Sequence, residues 1–138
     1  MKRVLCFGTF DILHLGHIYF LEHAARYGDE LIVVVSQDKR SATLRGGIVP
    51  IHTQKERMAL LSALACVDRA VAGHKTNLLF QLNKYKPSVV VLGHDQLFGV
   101  DLLQAWTKKQ TYKPKIVRLR AHKRARYATS RIKAFVCK

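Results

Sequence analysis

Two apolar runs, Leu31-Ile32-Val33-Val34-Val35 and Val89-Val90-Val91-Leu92, limit what this chain can fold into. Neither alternates with polar residues, so neither can lie with one face in water. Each reads as a strand buried on both sides, the pattern of a parallel sheet covered by helices. Val4-Leu5-Cys6-Phe7 has the same character, and Val67 to Ala72 and Lys115 to Leu119 read as shorter strands. Between them lie helical patterns: Ile18 to Arg26, a helix opened by Thr53 with Glu56 as a capping box, Asn77 to Tyr85 ended by Pro87, and Leu102 to Thr111. The Thr53 helix is expected to turn Met58, Leu61, Leu64 and Ala65 inward. Thr129 or Ser130 caps a last short helix with Ile132 and Phe135. Alternating strand and helix means βαβ units. The expectation is one α/β domain over residues 1–138, Rossmann-like and doubly wound, with a five-stranded parallel sheet.

The remaining features narrow the class. With 138 residues and 49% hydrophobic content, the chain can bury a core of its own. No stretch approaches the ~20 apolar residues that span a bilayer, and Met1-Lys2-Arg3 does not open a signal peptide. Cys6, Cys66 and Cys137 are odd in number and far apart, which is no disulfide framework and fits a reducing cytoplasm. Net charge is +15, and twelve Lys and Arg fall in the 37 residues after Asp101. Such a field attracts polyanions, nucleotides or nucleic acid. A nucleic-acid-binding module is the rival reading, but Tyr127 is the only aromatic between Tyr112 and Phe135 to stack a base.

Chemistry concentrates in Gly8-Thr9-Phe10-Asp11-Ile12-Leu13-His14-Leu15-Gly16-His17, between the first strand and the first helix. Ligands bind outside the carboxyl ends of strands in such sheets. Gly8 is expected to turn the chain out of the strand, and Gly16 to leave room for a bulky ligand. His14 and His17 would stand at a helix entrance whose open N–H groups and dipole favour an anion, hence a phosphate. A zinc site is the rival reading of the pair, but no cysteine or third ligand lies nearby at a usual spacing.

Other segments converge on the same crevice. Ser36 to Pro50, with Lys39, Arg40, Arg45 and Gly46-Gly47, reads as a long functional loop. Arg57 sits in a first helical turn, where a cation opposes the dipole, and is expected to contact a ligand. Gly93-His94-Asp95-Gln96 follows the fourth strand as the opening motif follows the first. Arg126 to Lys133 places Thr129 and Ser130 at a helix start, suited to phosphates.

Gly-Thr-Phe-Asp followed by His-x-Gly-His resembles the nucleotidyltransferases of the cytidylyltransferase-like superfamily. The resemblance runs through four motifs in family order over nearly the whole chain. It implies that His14 and His17 act at the α-phosphate of a nucleoside triphosphate, with Lys39, Arg40 or Arg45 as the loop cation. It also implies that Gly8, Thr9, Phe10, Asp11, Gly16, Arg57, Gly93, Asp95, Gln96, Arg126, Thr129 and Ser130 line the nucleotide. Ala128 stands where the family's commoner Ile-Ser-Thr string has its Ile. Gly93-His94-Asp95-Gln96 is most similar to the archaeal FAD synthases, which implies ATP and FMN. The segment from Leu44-Arg45-Gly46-Gly47 to Arg57 resembles heptose-phosphate adenylyltransferases instead, and a glycerol-3-phosphate cytidylyltransferase using CTP is the third option. The resemblance further implies a divalent cation arriving with the triphosphate, no protein metal site, and a homodimer through Ala65 to Arg69.

Overall fold

The computed structural model describes residues 1–39, 46–74, 77, 79–94, 96 and 99–120. Among them the order is β1 (Arg3–Gly8), α1 (Leu15–Ala25), β2 (Glu30–Val35), α2 (Gln54–Ser62), β3 (Arg69–Ala72), α3 (Phe80–Tyr85), β4 (Val89–Leu92), α4 (Val100–Lys109) and β5 (Lys115–Arg118). The strands form one five-stranded sheet in the order β3-β2-β1-β4-β5. Every pairing is parallel, with Val4 opposite both Leu31 and Val89.

The apolar runs divide by parity. Val4, Cys6, Leu31, Val33, Val35, Val89 and Val91 face one side, under Leu21 and Ala24 of α1 and Leu61 of α2. Leu5, Ile32, Val34, Val90 and Leu92 face the other, under Leu82 and Tyr85 of α3 and Leu103 and Trp106 of α4. Each such side chain taken from water contributes roughly 1.5–3 kcal/mol, and two covered faces explain why no polar residue interrupts the runs. Trp106 Nε1 donates to Asn83 Oδ1 at 2.8 Å and ties α4 to α3. The edge strands are exposed at their ends, where Arg69, Lys115 and Arg118 discourage pairing with another sheet.

The chain steps outward from β1 to β2 to β3, then returns to place β4 on β1's other flank. This is the switch point of a doubly wound sheet, where neighbouring strands send their connections to opposite faces and leave a crevice between them. β1 leads into α1 on one face and β4 into α4 on the other.

Local differences from the sequence reading have physical causes. α2 has the expected capping box, Thr53 Oγ1 accepting from Glu56 N at 3.2 Å and Glu56 Oε1 from Thr53 N at 2.9 Å. It ends at Ser62, so Ala65 falls beyond the helix and is exposed, while Arg57 takes a buried position beside Leu61. α3 starts at Phe80, three residues later than Asn77, because the Asn77 side chain accepts from Leu79 N at 2.9 Å and forms a turn ahead of the helix. The helix expected at Thr129 and Ser130 lies outside the described residues. Among the described residues no helix is long and apolar enough to cross a membrane.

Candidate active site at the switch point

The loop from β1 to α1 is shaped by Phe10. Its backbone is left-handed, φ 52°, and its ring is buried. A Cβ on Gly8 would stand 2.5 Å from that ring. Gly8 is therefore needed for the close approach of Phe10, rather than for the turn expected of it. Left-handed backbone at a bulky residue costs roughly 1–3 kcal/mol and collects at functional sites. Here it sets the Phe10 ring edge-on to the His17 imidazole, with centroids 5.4 Å apart.

His14 is the N-cap of α1, and its Nδ1 accepts from Gly16 N at 3.1 Å. The proton of the neutral ring is thereby left on Nε2, a donor free of the capping bond. His17 and Ile18 N donate to His14 O at 3.0 and 3.2 Å. The helix start thus satisfies its own Gly16, His17 and Ile18 N–H groups. The open amides expected there are engaged, and the imidazoles present the polar atoms instead. His14 and His17 stack with centroids 3.9 Å apart. Burial holds both below the ordinary imidazole range, His17 down to about 4 with neighbouring His14 adding to the effect. His17 Nδ1 is a buried polar atom with no hydrogen-bond partner among the described residues. Such an atom costs free energy until something pairs with it.

Arg57 differs from its expected role. Its side chain is wholly enclosed, and Nη1 donates to Thr9 O at 2.7 Å, Nη2 to Ser36 O at 2.9 Å and Nε to His52 O at 3.2 Å. Nη2 also pairs with the half-exposed Asp38 carboxylate at 2.6 Å. The cation unfavourable for the α2 dipole is held by protein acceptors, so it braces the site rather than lining it. Asp11 is similarly occupied: its two carboxylate oxygens accept from Ile51 N and His52 N, each at 3.0 Å. Thr9 Oγ1 lies 3.2 Å from Ser36 Oγ, linking the ends of β1 and β2. Lys39 stands exposed one residue past Asp38. Sequence reasoning missed Asp38 and Ser36, and the only signal was their place directly after the buried β2 run.

Across the crevice, Gly93 and Gln96 form a turn after β4, with Gln96 N donating to Gly93 O at 3.3 Å. Gln96 Oε1 lies 3.4 Å from Gly93 N, folded back on the turn. The topology thus brings the Gly8–His17 and Gly93–Gln96 loops to one switch point. Arg40, Arg45, Asp95, Arg126, Thr129 and Ser130 lie outside the described residues.

Paired neutral imidazoles on a strand-loop-helix at a switch point can present donors to an anion that gains charge in reaction. Residues 5–135 match the Cytidylyltransferase-like family. The chain belongs to that family. It is 43% identical to the FAD synthase of Thermoplasma volcanium over 86% of its own length and 82% of that protein's. It is 38% identical to the FAD synthase of Archaeoglobus profundus, over 94% and 82% of the two chains. A crystal structure described as the lipopolysaccharide core biosynthesis protein from Thermoplasma volcanium superposes with a TM-score of 0.78 at 42% identity, covering 88% of this chain and 98% of that one.

Two outcomes follow for the site. Replacing Arg57 with Ala strands three backbone carbonyls and opens a cavity, and is expected to lower unfolding free energy by about 3 kcal/mol or more, read from urea denaturation. For His17, the folded pKa is depressed below the ordinary 6.5 to about 4. Between those values the unfolded chain takes up a proton that the folded one refuses. Stability should therefore fall as pH drops from about 6.5 towards 4 and level off below, and His17→Asn should remove that part of the slope.

Proposed function

We propose that the chain transfers the adenylyl group of ATP to FMN, giving FAD and pyrophosphate. The observation that carries this reading is the identity of 36–43% to FAD synthases over most of the chain, joined to the stacked His14 and His17 at the start of α1. Membership of the family and that site make the chain a nucleotidyltransferase.

An FMN phosphate oxygen attacks the α-phosphorus of ATP, the bond to the bridging oxygen breaks, and pyrophosphate leaves. Charge crowds the α-phosphate oxygens as the attacking and leaving groups share it, so donors placed there help most in the transition state. His14 offers Nε2–H, because the capping bond fixes its tautomer. His17, packed between His14 and Phe10, sets its ring directly beside that donor. Both rings are neutral before ATP binds, and an arriving anion raises their proton affinity. Lys39 is the exposed cation next to the braced loop and serves the leaving phosphates, with Arg40 and Arg45 as the other candidates. Thr9, Gly16, Gly93, Asp95, Gln96, Arg126, Thr129 and Ser130 line the nucleotide in this reading, while Gly8, Phe10, Asp11 and Arg57 shape its walls.

Nucleotidyltransferases generally use a divalent cation. Among the described residues no group of three or more His, Cys, Asp or Glu could hold one, and Asp11 and Asp38 are engaged within the protein. In the proposed reaction the cation arrives with the substrate, as its complex with ATP. Burial pushes the Cys6 thiol pKa far up and leaves that thiol inert.

The assay is FAD and pyrophosphate formation from ATP and FMN. Use of CTP with glycerol 3-phosphate, and none of FMN, would overturn the assignment. His14→Ala or His17→Ala should lower turnover about 10²–10³-fold while changing the dissociation constant for ATP much less. We further propose a homodimer through Ala65 to Arg69, the segment leading from α2 into β3, in which Ala65, Asp68 and Arg69 are exposed and Val67 is buried. Sedimentation at micromolar concentration should show a dimer, and a monomer would count against that interface.

A further inference from the structure

Arg118 ends the edge strand β5, where nothing in the sequence pattern gives it a task. Its register partner is Leu92, the last residue of β4, and Leu119 N donates to Leu92 O at 3.0 Å. The backbone ladder therefore runs to the end of β4 and stops where the turn to Gln96 begins. The Arg118 side chain continues the connection. Its Nη1 donates to Gly93 O and to Gln96 O, each at 2.8 Å. One nitrogen with two N–H groups thus pins both ends of a four-residue turn, and Gly93 O also receives Gln96 N.

This clamp has a directional consequence. All peptides among the described residues are trans, so a C=O and the N–H of the same unit point opposite ways. Holding Gly93 O on the β5 side turns the His94 N–H away from β5. β1 and its histidine loop lie on β4's other flank. We infer that Arg118 is a positioning residue for the nucleotide, acting by fixing the turn from Gly93 to Gln96 over the crevice. The inference rests on the reading of that crevice as the triphosphate site. Its cation also adds positive potential there, but the bonds it makes are to carbonyls of the turn.

The test uses Arg118→Ala, Arg118→Gln and Arg118→Lys in the full chain. Calorimetry gives ATP affinity, steady-state assays give KM and kcat, and amide hydrogen exchange reads the Gln96 N–H that closes the turn. Loss of a charge-assisted clamp is expected to weaken ATP binding about tenfold and raise its KM alike. kcat at saturating ATP should stay within about twofold of wild type. Gln96 exchange should quicken about tenfold in the Ala variant, with the Lys variant restoring most of both effects. Unchanged ATP affinity in Arg118→Ala overturns the inference. So does weakened affinity with unchanged Gln96 exchange, which would make Arg118 a direct phosphate contact. If the Ala variant fails to fold, the Gln variant carries the same readouts. A wild-type protein that binds ATP yet ignores FMN would strike the acceptor assignment alone.

Discussion

The enclosed guanidinium of Arg57 holds together the loops on which the site depends. Removing such a charge from water costs several kcal/mol unless its donors are matched. Here they meet the carbonyls of Thr9, Ser36 and His52 and the carboxylate of Asp38. Those acceptors belong to the segments after β1, after β2 and before α2, far apart in sequence and adjacent only in the fold. Asp11 acts in the opposite sense, with an anion accepting from Ile51 and His52 N. The backbone of His52 therefore lies between a buried cation, which its C=O accepts from, and a buried anion, which its N–H donates to. The loop carrying Lys39 and the loop carrying the histidines cannot shift independently of it.

Within that frame the imidazoles are fixed by contacts of different kinds. A capping bond sets the tautomer of His14, stacking sets its distance to His17, and the ring edge of Phe10 backs His17. The strained backbone of Phe10 is tolerated because a glycine at position 8 leaves space for its ring. Although the chain carries a net charge of +15, both site histidines are kept neutral by burial. The general positive field draws in anions, whereas the local site supplies oriented donors.

The second loop of the crevice follows the same logic from the other flank. Gly93 and Gln96 are held by a turn bond and by Arg118 from the neighbouring strand. Each side of the switch point therefore has one arginine whose donors meet backbone carbonyls of a loop, Arg57 on the β1–β2 side and Arg118 on the β4–β5 side.

The fold was legible in the sequence because burial on both faces forbids polar interruption. Runs such as Leu31–Val35 and Val89–Leu92 announce covered strands without any knowledge of their neighbours. The Thr53–Glu56 capping box and the place of His14 and His17 before the first helix were equally local signals, and local hydrogen bonding realises them. The roles of Arg57, Asp11, Gly8 and Arg118 were decided by tertiary structure alone. Arg57 and Asp11 read as ligand contacts, since a charge near a site motif looks exposed until its partners are known. Those partners lie 48 residues away for Thr9 and 40 for Ile51. Gly8 is required by a ring two residues on, whose unusual backbone no periodicity reveals. Spacing along the chain reports which groups share a strand or a helix turn. Which donor meets which carbonyl is set by strand order, and β4 pairs with β1 only after the chain has crossed back over the sheet.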